Sequence, residues 1–172
     1  MKTEFINVKN SLLNFYRKVP LYYFADNGEC VLYKPAGITI KEMRIKRKLL
    51  PKKLYIKQTS KVDAIKEVQK GYNNELKDSI KCNDLNNIRS ILHNIVEVTF
   101  EEPISGSLEG IRNTVNLLVN EYTEDFNVLI RLLDLTVRDY TTLIHSINVM
   151  AMALSYASYI NLDSSQKKLL GL

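Results

Sequence analysis

The chain has 172 residues, 45% of them apolar, and a net charge of +5, enough for one domain or two small ones with a real core. Its longest apolar stretch, residues 143–160, is interrupted by His145, Ser146, Asn148 and further serines, and the N-terminus has no apolar signal core. Neither a membrane span nor a secretory signal is therefore expected. Cys30 and Cys82 lie far apart without metal-ligand spacing, as befits thiols of a reducing cytoplasm, so a cytoplasmic protein is expected.

Residues 1–18 predict a short helix or an extended lead-in carrying Phe5, Leu12, Leu13, Phe15 and Tyr16, stopped by Pro20. Two β-rich runs, Leu21–Ala25 and Glu29–Lys34, flank Asp26-Asn27-Gly28, a strong hairpin signal. Thr39 can cap a helix with Glu42 at its third position. That helix is expected to reach Leu50, and Pro51 stops it. Lys53–Lys57 predicts a short strand in which Leu54 and Ile56 alternate against Tyr55. Hairpin, helix and strand make a small α+β module over residues 1–58.

The charge is uneven. Residues 34–70 carry twelve Lys/Arg against Glu42, Asp63 and Glu67, a net of +9, and the remainder carries −4. Such a block suits a phosphate, nucleotide, RNA or membrane surface. The plainer reading is a solvated helix face, because Lys41, Arg44 and Lys48 recur at helical spacing around Met43, Ile45, Leu49 and Leu50. Tyr33 and Tyr55 flank the block without interleaving it as a stacking platform would, so nucleic acid is disfavoured.

After residue 58 the period is helical. Thr59 or Ser60 caps a helix with Val62, Ile65, Val68 and Tyr72, with Gly71 its expected kink or end. Asp84 caps another presenting Leu85, Ile88, Ile91, Leu92, Ile95 and Val96 on one stripe. Glu102-Pro103-Ile-Ser-Gly106 breaks the pattern. A third helix carries Leu108, Ile111, Val115, Leu118 and Val119. A long one holds Phe126, Leu129, Ile130, Leu133 and Val137, then passes or kinks into Tyr140–Ile160. The fold class is α+β: the small module, then an all-α bundle.

The richest segment is Asp139-Tyr-Thr-Thr-Leu-Ile-His145-Ser-Ile-Asn-Val149, an alanine-rich apolar helix, then Asn161-Leu162-Asp163 and a charged helix ending Leu169-Leu170-Gly171-Leu172. This series resembles the opening of an HD-GYP domain, the branch of the HD metal-dependent phosphohydrolases that cleaves cyclic di-GMP. Val31-Leu-Tyr33-Lys-Pro35 and Leu54-Tyr55-Ile56 are similar to segments of the small α/β module that opens many such proteins. The family's His-Asp pair would fall a few residues beyond Leu172. The resemblance thus implies a regulatory fragment in three parts: a sensor module over 1–58, a helical connector over 59–122, and the first helices of an incomplete HD-type domain over 123–172.

The resemblance implies that His145 is a metal ligand in the intact protein, joined by later residues in a centre of two or three divalent ions, iron or manganese. Such ions activate water and neutralise phosphodiester oxygens. Thr141 stands where some members carry a glutamate for a third metal, so two metals are favoured here. Asp139 is a lesser candidate, as a neighbouring partner or helix cap. On the residues alone His145 reads as a core or interhelical histidine satisfied by one hydrogen bond. A single imidazole binds no metal tightly, so this piece by itself has no catalytic residue, no cofactor and no activity. His93 lacks a partner motif and reads as structural. A cyclic dinucleotide is the implied substrate of the intact protein. The helix after Thr141 is apolar around much of its circumference, so a homo-oligomer through residues 140–172 is expected. Competing readings are a non-catalytic signalling scaffold with a degenerate HD domain, and direct binding of an anionic ligand by the basic module.

Overall fold

The computed structural model describes residues 4–47, 51–100, 108–122 and 142–171. The chain divides into two compact units, Met1–Val68 and Gln69–Leu172.

The first unit is built on a four-stranded antiparallel sheet of β1 (Phe5–Asn7), β2 (Leu21–Phe24), β3 (Cys30–Lys34) and β4 (Tyr55–Lys57), in the order β1-β4-β2-β3. The predicted hairpin joins β2 to β3. Gly28 turns it with φ +81 and donates its N–H to Ala25 O at 2.8 Å, a left-handed position that glycine occupies at no steric cost. Helix α1 (Ile40–Arg47) starts from the predicted capping box: Thr39 Oγ1 accepts from Glu42 N at 3.2 Å, and the Glu42 carboxylate accepts from Thr39 N. Residues 48–50, the expected end of that helix, lie outside the described residues. In the β4 region Leu54 and Ile56 are buried and Tyr55 is half-buried, as their alternation requires.

The N-terminal lead-in proves to be a strand followed by a 3-10 turn at Asn10–Leu12. The open choice between helix and extended chain resolves because Phe5, Ile6 and Asn7 pair with Lys57, Ile56 and Tyr55. A second correction concerns Gly71. Helix α2 (Lys61–Lys81) runs ten residues past it, because Tyr72, Leu76 and Ile80 extend the buried stripe. That burial outweighs the roughly 1 kcal/mol a mid-helix glycine costs.

The second unit comprises the rest of α2 with α3 (Leu85–Phe100), α4 (Leu108–Tyr122), α5 (Thr142–Tyr159) and α6 (Ser164–Leu170). Asn83, with φ +53, ends α2, and Asp84 N donates back to Ser79 O at 3.1 Å. Asp84 then caps α3 as predicted, accepting from Asn87 N at 3.2 Å. Helix α3 buries Ile88, Ile91, Leu92, Ile95, Val98 and Thr99, whereas Leu85 and Val96 are half-buried. It packs on α4 and α5, and α6 closes against α4 and α5.

A buried polar network crosses α2, α3 and α4. Gln69 Nε2 donates to Thr99 Oγ1 at 2.9 Å, and Asn73 Nδ2 donates to Gly110 O at 3.2 Å. Thr114 Oγ1 lies 2.9 Å from both Asn73 Oδ1 and Gly110 O, and its single proton serves one at a time. The helix expected over Phe126–Val137 lies outside the described residues.

Candidate functional site

The segment carrying the sequence signature is the α5–α6 hairpin. Its turn is fixed by backbone chemistry. Asn161 takes φ +56 and Leu162 N donates to Ala157 O at 2.9 Å, tying off the last carbonyls of α5 in a Schellman-type end. Asp163 then accepts from Ser165 N at 2.8 Å and Gln166 N at 2.9 Å, and Gln166 Oε1 accepts from Asp163 N at 3.1 Å. This second capping box explains why Asn161-Leu162-Asp163 stands between two helices. Gly171 is buried behind α6; a Cβ there would meet Val115 Cγ1 at 2.8 Å and Leu154 Cδ2 at 3.0 Å, so any larger residue would require those side chains to shift.

Helix α5 has two distinct faces. Ile147, Ala151, Leu154, Ser155 and Ala157 are buried; Ser155 Oγ donates to Ala151 O at 2.7 Å and so needs no partner from another helix. The opposite face presents His145, Val149, Met152, Tyr156 and Tyr159, all exposed. Exposure reaches 60% at Met152, 61% at Tyr156 and 75% at Tyr159. Leu169 and Leu170 on α6 are exposed as well.

His145 therefore stands at the N-terminal end of an exposed apolar stripe. Asp139 and Thr141, its sequence companions, lie outside the described residues. Among the described residues no group of three or more His, Cys, Asp or Glu could hold a metal ion. One imidazole is too small a donor set for a pair of divalent ions, so the described residues do not fit such a centre. His93, on α3, is half-buried.

The basic block is dispersed in role. Lys34 is fully buried, and its ammonium donates to Arg17 O and Pro35 O at 3.2 Å and to Ile38 O at 3.0 Å. Burial pulls its pKa below the ordinary 10.5, opposed by Glu67 and then Glu42. Glu67 holds the same loop from α2, accepting from Arg17 N at 3.0 Å, Lys18 N at 2.7 Å and Val19 N at 3.2 Å. Lys34 is thus a structural clamp rather than part of an anion site. Lys41, Arg44, Lys52, Lys53, Lys57, Lys66 and Lys70 are exposed.

One grouping escaped the sequence reading. Phe5 lies edge-on to Tyr22 and to Phe24, each at 5.5 Å between ring centres, and Phe24 meets Tyr55 at 5.0 Å. Lys57 Nζ sits 5.6 Å from the Tyr22 ring centre. These rings come from three strands separated by up to fifty positions, so no local pattern announces them. Their edge-to-face geometry spends the rings on each other as packing.

No family model matches the chain, and no curated protein matches it. Among solved structures it is similar to Bd1817, a HDG"Y"P protein from Bdellovibrio bacteriovorus, with a TM-score of 0.50 and 20% identity over 98% of this chain. The likeness takes in 57% of that protein's chain, so this chain spans little more than half its length. The likeness is one of fold, and in fold it agrees with what the resemblance implied. No described helix is long and apolar enough to cross a membrane.

Proposed function

We propose that this chain is the N-terminal regulatory part of a metal-dependent HD-GYP cyclic di-GMP phosphodiesterase, acting in the cytoplasm. The observation that carries the reading is the fold likeness to an HD-GYP protein along 98% of the chain. The position of His145 supports it: the imidazole is exposed on a helix, at the end of a stripe left exposed among the described residues. In the longer protein His145 contributes one ligand to a pair of divalent ions, iron or manganese, whose other ligands come from elsewhere. Metal held there together with ligands from elsewhere would supply an activated water and charge neutralisation at a phosphodiester. The residues of this chain hold and orient one imidazole, and by themselves they turn over no substrate. The sheet module of the first unit receives the regulatory signal. Copies of the chain associate through the helical region.

The test is metal analysis and cyclic di-GMP turnover on a protein extended past Leu172, beside its His145→Ala variant. The reading expects metal in the extended protein, turnover that depends on it, and loss of both in the variant. A reading frame that continues without a His-Asp pair, or full turnover by His145→Ala, rejects it.

A further inference from the structure

We propose that α2 links two openings of the chain: release of residues 17–19 from Glu67 loosens the network of Gln69 and Asn73 with α3 and α4, and loosening of that network frees residues 17–19. The inference rests on the reading that the first unit receives the regulatory signal, and it names the element by which that signal leaves it. The boundary between the two units falls between Val68 and Gln69, inside the helix Lys61–Lys81. Units of one chain are ordinarily joined by exposed, flexible linkers that few contacts cross. A helix is a different joint. Its i→i−4 bonds from residues 69–72 to residues 65–68 span the boundary, and the buried stripe Ile65, Val68, Tyr72, Leu76 and Ile80 continues through it.

Polar side chains hold α2 on either side of that boundary. Before it, the Glu67 carboxylate accepts from Arg17 N, Lys18 N and Val19 N, and Lys34 Nζ holds the same loop through Arg17 O. After it, Gln69 Nε2 donates to Thr99 Oγ1, Asn73 Nδ2 donates to Gly110 O, and Thr114 Oγ1 reaches Asn73 Oδ1. From Glu67 to Asn73 the rise along the axis is about 9 Å. Hydrogen bonds weaken steeply with distance and angle, so a turn or slide of α2 that releases one set misaligns the other. Unwinding the helix between them instead would break consecutive backbone bonds in its interior, which the cooperativity of helices opposes. The two sets therefore open in concert, and linkage makes the effect reciprocal.

The experiment is native-state amide hydrogen exchange on the whole chain, for wild type, Glu67→Gln, Thr114→Val, Lys70→Gly and the pair Glu67→Gln with Lys70→Gly. Lys70 is exposed, so glycine there softens the helix at the boundary without removing packing. Circular dichroism verifies that each variant is folded. Glu67→Gln should speed exchange at residues 17–19 and, by a comparable factor of roughly 5–30, at residues 112–118 of α4. Thr114→Val should speed exchange at residues 17–19. With Lys70→Gly in place, the effect of Glu67→Gln on α4 should shrink. Faster exchange confined to residues 17–19 in Glu67→Gln overturns the link. Undiminished transmission in the Lys70→Gly background also overturns it, since the coupling would then run outside α2. A Thr114→Val chain that does not fold leaves the Glu67→Gln and Lys70→Gly arms to decide. Neither metal nor cyclic di-GMP enters this measurement, so its failure leaves the phosphodiesterase reading to the turnover test.

Discussion

Replacing Gly110 with alanine sets two effects of opposite sign against each other. In an unencumbered helix the change stabilises by about 1 kcal/mol, because alanine loses less backbone entropy. Here a Cβ at position 110 would lie 2.8 Å from Gln69 Cβ and closer still to the Gln69 amide. The near atom at the root of that side chain cannot swing aside, so α2 and α4 must separate or Gln69 must leave its rotamer. Overpacking of this kind costs about 1–3 kcal/mol. Displacing Gln69 breaks its 2.9 Å bond to Thr99 Oγ1, worth about 1 kcal/mol. The net expectation is destabilisation by about 1–3 kcal/mol after the propensity gain. Urea unfolding followed by far-ultraviolet circular dichroism measures it. Adding Gln69→Ala removes the clash with the amide and leaves only the 2.8 Å contact with Cβ, and Thr99 keeps its own 2.7 Å bond to Ile95 O. The double variant should therefore be more stable than the sum of the singles by about 1–2 kcal/mol. A neutral or stabilised Gly110→Ala would refute the packing argument, since propensity alone would then govern the site.

Glu67→Gln keeps the shape but takes the charge from an acceptor of three backbone N–H groups; a loss of about 1–2 kcal/mol is expected in the same assay. Lys34→Met leaves Pro35 O and Ile38 O without the ammonium donor, for a loss of about 1–3 kcal/mol near neutral pH. The pH dependence has a definite sign. Folding lowers the Lys34 pKa, so the unfolded chain binds this proton more tightly, and the contribution of Lys34 to stability rises as pH climbs towards 10.5. The wild type should gain on Lys34→Met across that window, and a constant difference between the two curves would contradict it. Asp163→Ala removes the side-chain acceptor of Ser165 N and Gln166 N from the α6 capping box, while residue 163 keeps the backbone N–H that Gln166 accepts; the change should cost about 1 kcal/mol, read as faster amide exchange in Ser165 and Gln166.

The parts of the fold that were legible in the sequence rest on neighbours within a few positions. Asp26-Asn27-Gly28 states its turn, Thr39 and Glu42 state their cap, and Leu54 and Ile56 state the inward face of β4. Non-local partners were invisible. Three residues of β1 are too few to show alternation, and their ladder is with β4, about fifty residues on. Gly71 looked like a helix end because propensity is local, whereas Leu76 and Ile80 hold α2 together from beyond it. Gln69, Asn73 and Thr114 read as surface residues by type, and are buried with partners on other helices, Gln69 with Thr99 and Asn73 with Thr114. At the candidate site, the apolar circumference of the helix after Thr141 was evident from its residues, and the structure divides it into a face of Ile147, Ala151 and Leu154 and a face of Val149, Met152 and Tyr156.

Which of those two faces turns inward could not be decided by polarity, since neither carries a charge. Size decides it. The buried face uses Ala151, Ser155 and Ala157 beside Ile147 and Leu154, and the exposed face holds Met152, Tyr156 and Tyr159. Small side chains let α5 sit close to α3 and α6, gaining dispersion contacts from many atom pairs at short range. Bulky residues on that side would prop the helices apart. The usual ordering, in which the largest apolar groups are most buried, is therefore inverted on this helix. Large apolar groups left in water at 3- and 4-residue spacing keep an unfavourable hydration, a part of the roughly 1.5–3 kcal/mol that fully burying such a side chain contributes. Any surface that covered the outward stripe of α5 would recover part of that free energy, whereas in the basic block Lys34 already serves the fold itself.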